Sequence, residues 1–170
     1  SNSLILAAEY GHVEIVEILL KHGANINYKN NSNLTALAYA ACNGYQKIVE
    51  ILLEHGANFI GIASLAEECG EMYIAGFIRD FIIKKENQTL QTIVSSNLDE
   101  FKLALDMGVS INTKSGRNTL LTLAIQHNKT EFVDELMKRG VDVCLSFNVT
   151  GNKKIEETLC SYVSEKKIDF

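Results

Sequence analysis

The side chains that could do chemistry in this 170-residue sequence are few, and their spacing is wide. Cys42, Cys69, Cys144 and Cys160 form no CxxC pair, whereas a zinc site needs ligands at short spacings to close bonds of about 2 Å. A disulfide-stapled secreted domain is shorter and denser in cysteine, so the four read as free thiols in a reducing compartment. His22 and His55 stand 33 residues apart, and each follows a helical run, where a donor or cation suits the last carbonyls. His127 has no companion nucleophile. A catalytic Cys42 would need a base, and Tyr39 is a poor one. Phosphate-cradling glycine loops, HExxH, GxSxG and redox CxxC patterns are all missing from the sequence. The expectation is therefore no catalytic residues, no cofactor and no metal. Glu67, Glu68 and Glu71 form an acidic cluster around Gly70, which reads either as a solvated helix end or as a patch for a basic segment of a partner.

These residues must be held by something, and composition bounds what. The chain is 46% hydrophobic and 22% charged, with no Pro and no Trp, enough apolar residue for a core and too much for a disordered chain. Its apolar runs fall far short of the roughly 18 residues that span a bilayer, and no basic-then-apolar leader opens it. A net charge of −5 argues against nucleic acid, whose phosphates require a basic surface.

Organisation comes from an internal repeat. LILAAEYGHVEIVEILLKHGAN at 4–25 recurs as LAYAACNGYQKIVEILLEHGAN at 37–58, a shift of 33 residues. Fainter copies follow at 64–78, 96–112 and 128–143. Each reads as two antiparallel helices: a short one rich in Ala, a turn at Gly11, Gly44, Gly70, Ser96 or Asn128, then a second helix with a wide apolar stripe. Gly23, Gly56, Gly108 and Gly140 stop the second helices. One such pair cannot bury its own stripe, so pairs must stack.

The motifs LAAxxGHxxIVxxLLxxGAxIN and TALAYAACNGYxxIVxxLLxxGAN resemble the ankyrin repeat, whose period is about 33 residues. The resemblance implies an all-α fold: an ankyrin-type helical-hairpin solenoid of about five repeats plus a C-terminal capping helix. A single domain over 1–170 is expected, with repeats at about 2–28, 29–58, 59–84, 85–112 and 113–144 and a cap at 145–170 that sets Ile155, Leu159, Tyr162 and Val163 on one side. The family's Thr-Pro-Leu-His box is degraded to Thr35-Ala36-Leu37-Ala38 and Thr119-Leu120-Leu121-Thr122, which predicts weaker starts to those first helices. Turn-to-turn distances of 33, 26, 26 and 32 place two losses of seven residues between repeats. The family carries projecting hairpin fingers there, so short loops around Phe59–Ala63 and Lys84–Gln88 should replace two of them and leave a notch. Fingers should survive around Asn27–Leu34, Asn112–Asn118 and Val143–Thr150. Ile82 stands where the third stop Gly belongs, which leaves that helix free to run on through Ile83 and Lys84.

By the same resemblance, a partner polypeptide is bound on the concave and finger surface. The matching positions are Glu9 and Tyr10, then Lys29, Asn31, Ser32, Leu34, Cys42 and Asn43, then Glu68 and Cys69 in a shortened repeat, and finally Lys114, Ser115, Asn118, Gln126 and His127. Asn27 and Asn112 match finger asparagines that the family can offer for hydroxylation. The expectation is a non-enzymatic, intracellular, cytoplasmic interaction module. It would bind another protein, neither binding nucleic acid nor inserting into a membrane, and would be a monomer sooner than an oligomer. The alternative is a targeting segment of a larger enzyme, or a secreted effector of an intracellular microbe acting in host cytoplasm.

Overall fold

A computed structural model describes residues 2–115 and 118–143 and the single positions 157, 160, 161 and 164. The described elements are α1 (Ser3–Glu9), α2 (Val13–Lys21), α3 (Ala36–Cys42), α4 (Gln46–Glu54), α5 (Ile62–Glu68), α6 (Met72–Ser95), α7 (Leu98–Met107), β1 (Lys114–Ser115), β2 (Asn118–Thr119), α8 (Leu120–Gln126) and α9 (Thr130–Lys138). The fold is all-α and built of stacked helical hairpins, with a two-residue ribbon as its strand content among the described residues. All five expected turn positions take the left-handed conformation, Ser96 (φ 62°) and Asn128 (φ 53°) included. No helix among the described residues is long and apolar enough to cross a membrane.

The chain divides into two compact units. The first holds residues 1–83 and 106–108. In it α1 packs on α2 and α3, α3 on α4 and α5, and α2 on α4. Ala7, Ala8, Ala38, Ala40, Ala41 and Ala66 are buried, and their small side chains let the short first helices lie close. Val16, Ile48, Val49, Leu52 and Leu53 fill the layer beneath. The start of α3 keeps its cap despite the degraded box: Thr35 Oγ1 accepts from Ala38 N at 3.3 Å.

After α4 the chain makes a tight turn over Asn58–Gly61, where Ile62 N donates to Phe59 O at 3.1 Å, and enters α5 at once. The expected short junction is therefore present. Phe59 is buried, edge-on to Phe81 with ring centroids 6.2 Å apart, and its N donates to Met107 O at 2.9 Å.

The second short junction differs from expectation. No loop occupies 84–88; α6 runs unbroken for 24 residues, from Met72 to Ser95. With Ile82 in place of the stop Gly, the following Lys-Lys-Glu-Asn-Gln stretch contains neither Gly nor Pro and carries Lys, Glu and Gln, which favour helix. The second helix of one repeat and the first helix of the next have fused.

The second unit holds residues 84–105 and 109–170. Its core gathers Leu90, Ile93, Phe101, Leu120, Phe132 and Leu136 with their neighbours, and the Phe101 and Phe132 rings meet at 5.0 Å. Thr119 and Thr122 cap each other at the start of α8 in a reciprocal box, with Thr119 N donating to Thr122 Oγ1 at 2.7 Å and Thr122 N to Thr119 Oγ1 at 3.2 Å. The expected finger around Asn112–Asn118 is the ribbon in which β1 and β2 pair antiparallel, Lys114 with Thr119 and Ser115 with Asn118. The finger at 143–150 lies outside the described residues but for Val143, as does the cap at 145–170 apart from Glu157, Cys160, Ser161 and Ser164, which are helical.

Candidate functional site

In the first unit, the finger between α2 and α3 is braced from within. Asn30 N donates to Leu34 O at 3.0 Å, and Asn30 Oδ1 accepts from Ser32 N and Leu34 N at 3.0 and 3.1 Å. Asn30 Nδ2 donates to the Tyr39 hydroxyl at 3.0 Å, tying the finger to α3. Lys29, Asn31 and Ser32 are exposed on this finger and Leu34 is half-buried. At the opposite end of the first helices, Tyr10 is 65% exposed and lies 6.3 Å from the His12 ring. Glu9 and Asn43 are joined there, Asn43 Nδ2 donating to Glu9 O at 3.1 Å.

Cys42, the last residue of α3, and Cys69, the C-cap of α5, are joined in a disulfide with Cα atoms 5.2 Å apart. This corrects the reading of both as free thiols, and the argument from cysteine spacing for a reducing compartment goes with it. α3 packs on α5, and the ends of these neighbouring first helices lie within bonding range although the two residues are 27 apart in sequence. Cys160 is a free, exposed thiol.

The acidic cluster resolves into separate roles. Glu67 pairs with Arg79, whose guanidinium holds the Glu67 carboxyl below the usual carboxylate range. The Glu71 carboxylate lies over Gly44, where an added Cβ would sit 3.0 Å from Oε2. Glu68 is exposed and has no ion pair among the described residues. His55 Nδ1 is 2.8 Å from Ile51 O, a contact at a helix C-terminus.

Between the finger and the tight turn lies a cavity of about 580 Å³. Leu34, Ala38, Ile62 and Leu65 give it an apolar lining, and its two charged lining residues are Lys29 and Glu68. It therefore unites three expected binding positions, Lys29, Leu34 and Glu68. Tyr10, Asn31, Ser32, Cys42, Asn43 and Cys69 do not line it. Lys114, Ser115 and Asn118 belong to the ribbon of the second unit, where Gln126 and His127 are exposed at the end of α8. The far wall, Ile60, Ser64 and Leu65 among others, lies outside the expected binding positions; the seven-residue loss is the signal that points there.

Asn27 and Asn112 do the same job in different units. Asn27 Oδ1 accepts from Asn58 N at 2.8 Å, and Asn112 Oδ1 accepts from Asp142 N at 3.0 Å. Each ties its own finger base to the loop one repeat on.

The family model for ankyrin repeats (3 copies) matches residues 1–61. The chain is 29% identical over 142 residues to the ankyrin repeat domain-containing protein SAT10 of Stachybotrys chartarum (strain CBS 109288 / IBT 7711), a match covering 82% of this chain and 6% of that much longer protein. It is also similar to the crystal structure of the human ASB11 ankyrin repeat domain, at 19% identity and a TM-score of 0.45, over 84% of this chain and 71% of that one. Ankyrin repeats are general protein–protein interaction modules, and residues 1–61, with their paired helices at a 33-residue period, match that family directly.

Proposed function

We propose that the chain is a non-enzymatic module that binds a partner polypeptide through its finger and the exposed ends of its first helices. The observation that supports this most directly is exposure combined with fixed placement. Tyr10 is 65% exposed at a helix end, and the finger bearing Lys29, Asn31, Ser32 and Leu34 is held rigid by three Asn30 side-chain bonds. Groups already held in place lose little further freedom on binding. Exposed aromatic residues are frequent anchors of protein interfaces. In this reading Glu9, Asn43, Glu68, Lys114, Ser115, Asn118, Gln126 and His127 are surrounding contacts, and the repeats keep the boundaries given above within one domain. The partner is a protein, as the net charge of −5 disfavours nucleic acid, and the module works as a monomer.

The test is affinity capture with mass spectrometry, comparing the native chain with a Tyr10→Ala, Leu34→Ala double variant. The expected result is loss of a captured protein by about tenfold, the effect of roughly 1.4 kcal/mol, with helicity unchanged. Equal capture with intact helicity would count against this surface.

A second reading is a targeting segment within a larger enzyme or secreted effector. It is supported by the length of SAT10, of which this chain spans 6%. The complete reading frame decides it. The hydroxylation proposed at Asn27 and Asn112 is tested by a gain of one oxygen in intact mass after treatment with an asparaginyl hydroxylase.

A further inference from the structure

The cavity beside the finger is where this array departs from its own pattern. In the second unit, the base of the ribbon finger reaches the next loop through Asn112 Oδ1 and Asp142 N. In the first unit Asn27 Oδ1 and Asn58 N make the same tie, so residue 58 is anchored in repeat register. From that anchor a hairpin should rise, yet the chain turns through Gly61 straight into α5. The wall of the preceding finger and the start of α5 thus bound a space that the array's own polypeptide would otherwise cover.

We propose that this space seats an extended segment of a partner polypeptide in place of the missing hairpin, an inference that rests on the interaction-module reading and names its subsite. An apolar side chain of the segment sits against Leu34, Ala38, Ile62 and Leu65. The lining charges set the flanks: Lys29, on the finger, takes an acidic residue, and Glu68, at the end of α5, takes a basic one. Neither Lys29 nor Glu68 has an ion pair within the protein among the described residues, so both charges are available to a ligand. The volume of about 580 Å³ lies within the roughly 300–1,000 Å³ of sites that enclose a drug-sized group. Apolar contact supplies affinity here and the two opposed charges supply orientation and selectivity.

The test is titration of the ¹⁵N-labelled chain with the peptide Asp-Ser-Leu-Ser-Lys, followed by backbone amide shifts. The expected result is saturable shifts gathered on residues 27–35 and 58–68. Replacing the peptide's Leu by Ala should abolish them. Ser64→Phe, at an exposed lining position, should fill the cavity and weaken binding about tenfold or more, with the amide spectrum elsewhere unchanged. Lys29→Glu should weaken this peptide about threefold and make Lys-Ser-Leu-Ser-Lys the better ligand. Equal binding of N-acetyl-leucinamide would overturn the proposal, because the flanking charges would then contribute nothing. Shifts that gather on Tyr10 and Asn43 instead would overturn this seat and favour the broader surface. A silent spectrum would also overturn it, while the interaction-module reading stands or falls separately on the capture experiment.

Discussion

Gly108 shows how tightly single positions are constrained around the shortened junction. Its φ is +115°, a region closed to ordinary side chains, and an added Cβ would sit 2.6 Å from Ile60 Cγ1 and 3.2 Å from the Phe59 ring. Phe59 is itself fixed by its bond to Met107 O and cannot retreat freely. Gly108→Ala should therefore lower the unfolding free energy by about 1–3 kcal/mol, read from a urea midpoint. Gly23→Ala is the informative partner: it shares a positive φ of 76° but meets nothing within 4 Å, so it should cost less. At this scale the sequence was only partly legible. The turn and stop glycines announced themselves by their spacing, whereas the caps made by Thr35 and Thr119 run against the weaker helix starts expected from their degraded boxes. The bond between Cys42 and Cys69 could not be read, since a separation of 27 residues matches no ligand or disulfide pattern; it joins the ends of two neighbouring first helices.

Among the elements, α6 is the one that departed furthest from expectation. The seven-residue loss before α6's second half was legible from turn spacing, and the missing stop at Ile82 hinted that the helix continues. Its full extent was hidden because a polar run such as Lys84–Gln88 suits a loop and an exposed helix equally; periodicity cannot separate them when both faces are polar. A proline decides between the two. Asn87 is exposed in mid-helix, so Asn87→Pro should cost about 3 kcal/mol or more, seen as a drop in melting temperature. A loop at the same place would accept it almost without loss. The other junction, at Asn58–Gly61, was read correctly as short. Of the residues in and after it, Phe59 and Ile62 are buried and Ile60 is 69% exposed.

Across the stacked repeats of the first unit, equivalent residues differ in burial and so have unequal duties. Ile48 and Ile51 are 0% and 4% exposed, while Ile15 and Ile18, one period earlier, are 47% and 54% exposed. Ile48→Lys would bury a charge with no partner and should cost about 3 kcal/mol or more. Ile15→Lys should change stability by no more than about 0.5 kcal/mol. Comparing the two melting curves tests the stacked arrangement without reference to any ligand, and equal effects would contradict it.

The fused helix also constrains how this chain can change length. A loop between repeats absorbs an added residue by bulging outward. In α6 an insertion anywhere from 84 to 88 has no slack to take it up, and each extra residue turns everything downstream on that rod by about 100°. Leu90 and Ile93 would keep their core neighbours within the second unit, but their phase relative to the 72–83 half of the helix would change. Only insertions close to whole helical turns would restore their phase, so this junction should drift in length by jumps of three or four where fingers drift by ones.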